Sequence, residues 1–192
     1  MHKLAAIAEE DLRPLRRVEY DKLVSLGAFD GERIELVYGV LRQMSPIGPP
    51  HTSSVGRITR LLVLALAKDA LVLVQCPFAA SDLSEPEPDF TVVPLADYQD
   101  DHPHEAFLVV EVSQSSLRYD RGTKQRLYAE AGVPEYWIVN LVDRTLEVYA
   151  EPRDGSYCEV RILAPGERIA PRAFPHVEFG VDELLPPSRS AG

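Results

Sequence analysis

The sequence predicts a mixed α/β (α+β) domain, a three-layer core in which a mixed β-sheet is flanked by helices. Three observations predict it. The elements run in the order helix, hairpin, helix, strands, helix, strands. Residues 51–68 repeat apolar side chains at helical spacing. Several short apolar runs, rich in Val, Leu and Phe and bounded by Pro, Gly or Ser, have the character of buried strands.

Each element has its own reason. Residues 17–26 place Val18, Leu23, Val24 and Leu26 near one helical face, and Gly27 stops the helix. Residues 33–44 read as two short strands around a turn at Tyr38-Gly39. Pro46, Pro49 and Pro50 mark a loop, and the helix of residues 51–68 follows. Val55, Ile58, Leu62, Ala65 and Leu66 form its apolar face, with Thr52 or Ser53 as cap. Residues 71–75, 90–93 and 107–112 are β-rich runs. Residues 121–131 read as a helix with Leu127 inward, ended by Gly132 and barred from continuing by Pro134. Residues 136–139 form a short buried strand. Residues 145–149 and 157–163 form a hairpin joined through Arg153-Asp154-Gly155.

A chain of 192 residues fits one principal domain. We place it at residues 17–185, with an N-terminal extension at 1–16 and a polar tail at 186–192 opened by Pro186 and Pro187. Cys76 and Cys158 are the two cysteines. They form no CxxC pair, which excludes a zinc ribbon or a thioredoxin-type site and fits reduced core residues. The N-terminal apolar patch is short and followed by Glu9, Glu10 and Asp11, unlike a signal peptide. The longest apolar run, 61–67, is far shorter than the roughly 20 residues of a membrane span. A cytoplasmic protein with no membrane partner is expected.

The net charge is −10, from 20 basic and 30 acidic residues, and it is unevenly placed. From Asp69 to Leu117 there is no Lys or Arg, and those 49 residues carry ten carboxylates, the whole excess. A negative surface argues against a general nucleic-acid binder. Immediately afterwards Arg118, Arg121, Lys124 and Arg126 face only Asp120, a local basic strip.

Phosphate-cradling loops of the GxxxxGK[ST] and GxGxxG types are absent, as are a GxSxG elbow and an HExxH motif. The remaining signal is a pair of carboxylates on apolar strands. Asp89 sits at a strand mouth just after Pro88, and Glu111 lies inside the run Leu108-Val109-Val110-Glu111-Val112. An unpaired carboxylate there costs several kcal/mol, so a cation, a donor cluster or a metal must compensate it. Two carboxylates converging on one point call for a cation between them, and hard divalent ions take such oxygens. Lys124, on the following helix, is placed either to serve these acids or to form an i,i+4 pair with Asp120.

The ordered set of motifs resembles the Uma2 family of endonucleases, within the PD-(D/E)xK restriction-endonuclease-like superfamily. The matching stretches are Arg33-Ile34-Glu35-Leu36-Val37-Tyr38-Gly39, Met44-Ser45-Pro46, His51 and Glu87-Pro88-Asp89. They continue from Leu108 through Glu111, Ser115-Ser116-Leu117-Arg118-Tyr119-Asp120-Arg121 and Lys124 to Tyr128, Ala129 and the run from Gly132 to Val139. The resemblance implies a restriction-endonuclease-like core with its site at one edge of the sheet. By the same token Asp89 and Glu111 are metal ligands, and Glu35 is an upstream acid that completes the site. The superfamily lysine would stand two residues after Glu111, where this chain has Ser113. Lys124 looks like its migrated substitute.

The expected activity is metal-assisted hydrolysis of phosphodiesters, with DNA as the expected substrate. Asp89, Glu111 and the backbone carbonyl of Val112 would hold Mg²⁺ or Mn²⁺, and Lys124 would assist the water or the transition state. His51, Arg118, Arg121 and Arg126 are expected phosphate contacts, with a helix cap as the other role for His51. A homodimer is expected, with Leu146 and Val148 as candidate contacts. A second reading is a catalytically weak or inactive nuclease-fold module for nucleic-acid binding or assembly. A third is a metal-dependent hydrolase of a smaller phosphodiester.

Overall fold

A computed structural model describes residues 11–187. The expected extension at 1–16 and tail at 186–192 therefore fall largely outside the described residues. The elements are α1 (Arg17–Ser25), β1 (Ile34–Val37), β2 (Val40–Gln43), α2 (Pro49–Leu66), β3 (Leu71–Val74), β4 (Phe90–Val93) and β5 (Leu108–Ser113). Then follow α3 (Leu117–Tyr119), a π-helical turn (Asp120–Lys124), α4 (Gln125–Glu130), β6 (Glu135–Asn140), β7 (Thr145–Arg153), β8 (Ser156–Leu163), β9 (Arg168–Ile169), β10 (Phe179–Gly180) and α5 (Val181–Leu184).

Six strands form one sheet in the order β3-β4-β5-β6-β7-β8. Neighbours are antiparallel except β5 and β6, which run parallel. A parallel pair needs a crossover rather than a tight turn, and α3, the π turn and α4 supply it. Strand alternation then divides the core. Ile58, Leu62 and Leu66 of α2 pack on Phe90, Val92, Leu108, Val110, Trp137 and Val139. Tyr128 and Ala129 of α4 pack on Val93, Val109, Tyr136 and Ile138 across the sheet. Helices thus cover both faces, and the mixed three-layer architecture is the expected one.

The β1-β2 hairpin turns through Tyr38 and Gly39, both at positive φ, the two-residue turn that matches strand twist. Gly39 is required there twice over, because a Cβ would lie 2.3 Å from the Cβ of Pro14. The β7-β8 turn uses Asp154 and Gly155 in the same way.

Five details differ from the sequence reading. Helix α2 begins at Pro49, not after the prolines: a fixed φ and a missing N–H suit the first helical turn. The Thr52 hydroxyl donates back to the Gly48 carbonyl and makes no cap. Helix α1 exposes Val18, Val24 and Leu26, and buries Tyr20, whose hydroxyl donates to the Ile34 carbonyl. The second helical segment starts at Leu117 and contains the π turn. Finally, both cysteines are free, but Cys158 is exposed on β8 rather than in the core.

Candidate active site

The register of the sheet brings the two acids together. Phe90 pairs with Val110 and Thr91 with Val109. Continuing that antiparallel register by one residue sets Asp89 opposite Glu111 on the face that carries α4. Asp89 Oδ2 accepts the Val112 N–H at 2.8 Å and meets His51 Nε2 at 3.0 Å, while Oδ1 accepts Gln75 Nε2 at 3.1 Å. Three elements thus fix one carboxylate.

Glu111 is buried, and its Oε1 accepts from Lys124 Nζ at 2.7 Å and from the Tyr128 hydroxyl at 2.8 Å. Among the described residues its Oε2 takes no hydrogen bond. Lys124 Nζ also lies 3.3 Å from Glu35 Oε2. Glu35 is fully buried and accepts from Arg42 Nη1 at 2.9 Å. That pairing follows from the hairpin, which places Glu35 across from Arg42. The Arg42 guanidinium lies 3.7 Å from the Tyr119 ring centroid, a cation–π contact.

The π turn sets the lysine. Its i→i+5 bond, from the Gln125 N–H to the Asp120 carbonyl, widens the helix by one residue. Asp120 then turns to the Ser113 and Ser116 hydroxyls, both at 2.6 Å, and Lys124 reaches the acids. The i,i+4 pair of Lys124 with Asp120 gives way to this arrangement.

Asp89, Glu111, Lys124, Asp120, Glu87, His51 and Arg42 line one cavity of about 340 Å³. Its charge is unbalanced. Glu35, Asp89, Glu111 and Asp120 are all buried, and Lys124 is the buried cation among them. Burial pushes the Glu111 carboxyl up to about 8, and the charges of Asp120 and Asp89 add to the rise while Lys124 opposes it. Burial also raises Asp120. For Lys124 burial acts the other way, but Glu111, Glu35 and Asp120 outweigh it and hold the ammonium charged.

This donor set fits a hard divalent ion. One or two carboxylates, a backbone carbonyl and water suit Mg²⁺ or Mn²⁺. Asp89, Glu111 and Val112, which line the cavity, would supply the protein share of that set. A cage built from protein alone is not present: no group of three or more His, Cys, Asp or Glu side chains is placed to hold an ion among the described residues.

The structure gathers Glu35, His51, Asp89, Glu111, Val112 and Lys124 and separates the basic strip. Arg121 donates to Glu147 through Nε at 2.9 Å and Nη2 at 2.7 Å, and reaches Asp143. It is tied to buried Glu147 and lies outside the cavity lining. Arg126 is paired with Glu130 at 2.8 Å, outside the cavity lining. Arg118 is exposed. His51 lies in the first turn of α2 and neither caps it nor reaches outward, since Asp89 holds it. Arg33, Arg42, Gln75 and Tyr128 were missed. Arg42 was open to deduction from the hairpin turn, and Tyr128 from its place one helical turn after Lys124. Gln75 had no signal.

The fold, a six-stranded mixed sheet flanked by helices, is a restriction-endonuclease-like one. A profile of the Uma2 family, described as "putative restriction endonuclease", matches residues 18–182, and the chain belongs to that family. A solved structure described as a "putative nuclease belonging to DUF820" from Anabaena variabilis ATCC 29413 has the same fold. It superimposes with a TM-score of 0.72 at 14% identity, over 89% of this chain and 97% of the other. No curated protein matches.

Proposed function

We propose that this chain is a metal-dependent endonuclease that hydrolyses phosphodiester bonds in DNA, with Asp89, Glu111, Lys124 and Glu35 as its working residues. The observation that carries the reading is the surplus of buried carboxylate around a single buried ammonium, at the mouth of two core strands. An acid-rich cavity of that kind is suited to a cation. Nuclease-like descriptions of the family and of the solved structure support the reaction class.

Asp89, Glu111 and the Val112 carbonyl would hold Mg²⁺ or Mn²⁺. Bound there, the ion supplies Lewis acidity and a more acidic water. The chain's own groups do the rest. Val112, Gln75 and His51 hold Asp89 in one orientation. Tyr128 does the same for Glu111 and steadies the geometry in which charge develops. Lys124, on Glu111 and Glu35, offers an N–H to the attacking water or to the phosphoryl oxygens. One water adds across one P–O bond, leaving a phosphomonoester and a hydroxyl. Arg33 and Arg42 at the cavity would join exposed Arg118 of the basic strip in contacting phosphate.

The test is nicking of plasmid DNA in Mg²⁺ or Mn²⁺ by the wild type and by Glu111→Ala. Loss of cutting in the variant is expected, and equal activity in both overturns the assignment. The second reading is a nuclease-fold module without strong activity. It is favoured by the absence of a three-residue ligand group among the described residues and by Lys124 already sitting on Glu111. Calorimetry with Mn²⁺ separates the two. The enzyme reading requires binding that Asp89→Ala abolishes.

Cellular placement belongs to the proposal too: a cytoplasmic protein. No helix among the described residues is long and apolar enough to cross a membrane.

A further inference from the structure

The expected dimer contacts are unusable: Leu146 and Val148 are buried in the core beneath the sheet, on strand β7, which is flanked by β6 and β8. The available surface is one strand further out. β8 ends the sheet and is eight residues long. Among the described residues, no backbone hydrogen bond joins residues 156–163 to anything but β7. Its outer row of N–H and C=O groups is therefore open to another strand. Val160 and Ile162 are 52% and 64% exposed, and Cys158 is exposed as well.

We propose that this edge docks a second copy of the same chain, with two β8 strands pairing antiparallel about a two-fold axis at Val160. The inference stands apart from the nuclease reading. It rests on which registers symmetry allows. A two-fold axis perpendicular to a sheet keeps each side chain on its own face, so a residue meets its own copy or one an even number of positions away. An axis at Glu159 sets Glu159 against Glu159, and an axis at Arg161 sets Arg161 against Arg161. Like charges directly opposite are destabilising. Axes at Cys158 or Ile162 leave Glu159 facing Tyr157 or Arg161 facing Leu163. An axis at Val160 sets Val160 on Val160, Cys158 on Ile162, and Glu159 on Arg161 twice. Apolar meets apolar, and each Glu159, which already pairs with Arg172 of its own chain, gains Arg161 of the other copy opposite it. The strand is self-complementary in that register alone, and pairing there would join two six-stranded sheets into one.

The experiment uses the full chain. Sedimentation equilibrium of the wild type is expected to give a dimer, and Val160→Lys a monomer with an unchanged circular dichroism spectrum. Arg161→Glu is expected to weaken the dimer, and addition of Glu159→Arg to restore it. Val160→Cys in a Cys158→Ser background is expected to form a disulfide-linked dimer under mild oxidation, because opposed residues approach closely enough for one. The wild type, with Cys158 facing Ile162, is expected not to. A monomeric wild type overturns the proposal, as does a Val160→Lys protein that remains dimeric. A dimer that cross-links through Cys158 but not through Val160→Cys overturns the register.

Discussion

Arg121 and Lys124 stand three residues apart on the same crossover and each reaches buried carboxylate, yet the two networks are opposites. Around Arg121 the account is closed. Glu147 receives hydrogen bonds from Arg121, Asn140 and Tyr149. Burial works against its charge, but those bonds outweigh it and hold its carboxyl below the ordinary range. Around Lys124 the account is open. Four buried carboxylates lie around one buried ammonium, which pairs with two of them, Glu111 and Glu35; Glu111 is pushed up to about 8, and a cavity adjoins them. A satisfied buried ion pair reads as architecture, whereas an unsatisfied one beside a cavity points to chemistry.

The sharpest way to break this contrast is to exchange the two residues' consequences. Lys124→Met is expected to lower plasmid nicking by about a thousandfold, within the range for loss of a charge-stabilising donor. Its cost in stability is softened because Glu111 can take up a proton. Arg121→Met is expected to leave Mn²⁺ affinity and nicking intact and to lower unfolding stability. Half-exposure of Arg121 screens the pair, so the expected loss is about 2 kcal/mol by urea titration, less than for a fully buried pair. If Arg121→Met abolished nicking at full stability, the contrast would fail.

Smaller effects sharpen it. Tyr128→Phe removes one hydrogen bond to Glu111 and is expected to cut the nicking rate by about tenfold, with the fold retained. A third charged group, away from both networks, gives a pH signature. Burial, with the nearby Asp21 charge, pushes Glu85 up to about 8. The folded state therefore prefers the protonated acid. Its contribution is complete below about pH 4.5 and is lost as pH rises through 8. Thermal melts are expected to fall between pH 5 and pH 9 in the wild type, and to fall less in Glu85→Gln. Smallest of all, Arg126→Ala removes an exposed i,i+4 pair and is expected to change stability by less than about 0.5 kcal/mol.

The sheet and its acids were legible in the sequence because their signals are local. An apolar run interrupted by Glu111 and a proline before Asp89 needed no tertiary knowledge. The α2 face of Ile58, Leu62 and Leu66 was legible from spacing alone. Failures came where spacing misleads. The i,i+4 spacing left a pair of Asp120 with Lys124 open beside a place for Lys124 at the acids, and a π turn parts the two side chains. Net charge counted Arg121 and Arg126 as free cations, although Glu147 and Glu130 hold them. The alternation in β7 marked Leu146 and Val148 as apolar, and the hairpin with residues 157–163 was legible, but not that β6 pairs along the other side of β7 and leaves β8 at the edge. Prolines at 49 and 50 read as loop because Pro breaks helices everywhere but at their first turn.

The crossover between β5 and β6 carries a consequence for the order of assembly. Parallel strands meet only after the intervening chain has folded back, so this pairing closes late compared with the hairpins. Glu111 lies within the first of these strands, and Lys124 rides on the returning segment. A chain caught before that closure has its hairpins but an acid without its ammonium. The carboxylates thus acquire their counter-charge in the same step that completes the sheet, and partly folded molecules are expected to be inert.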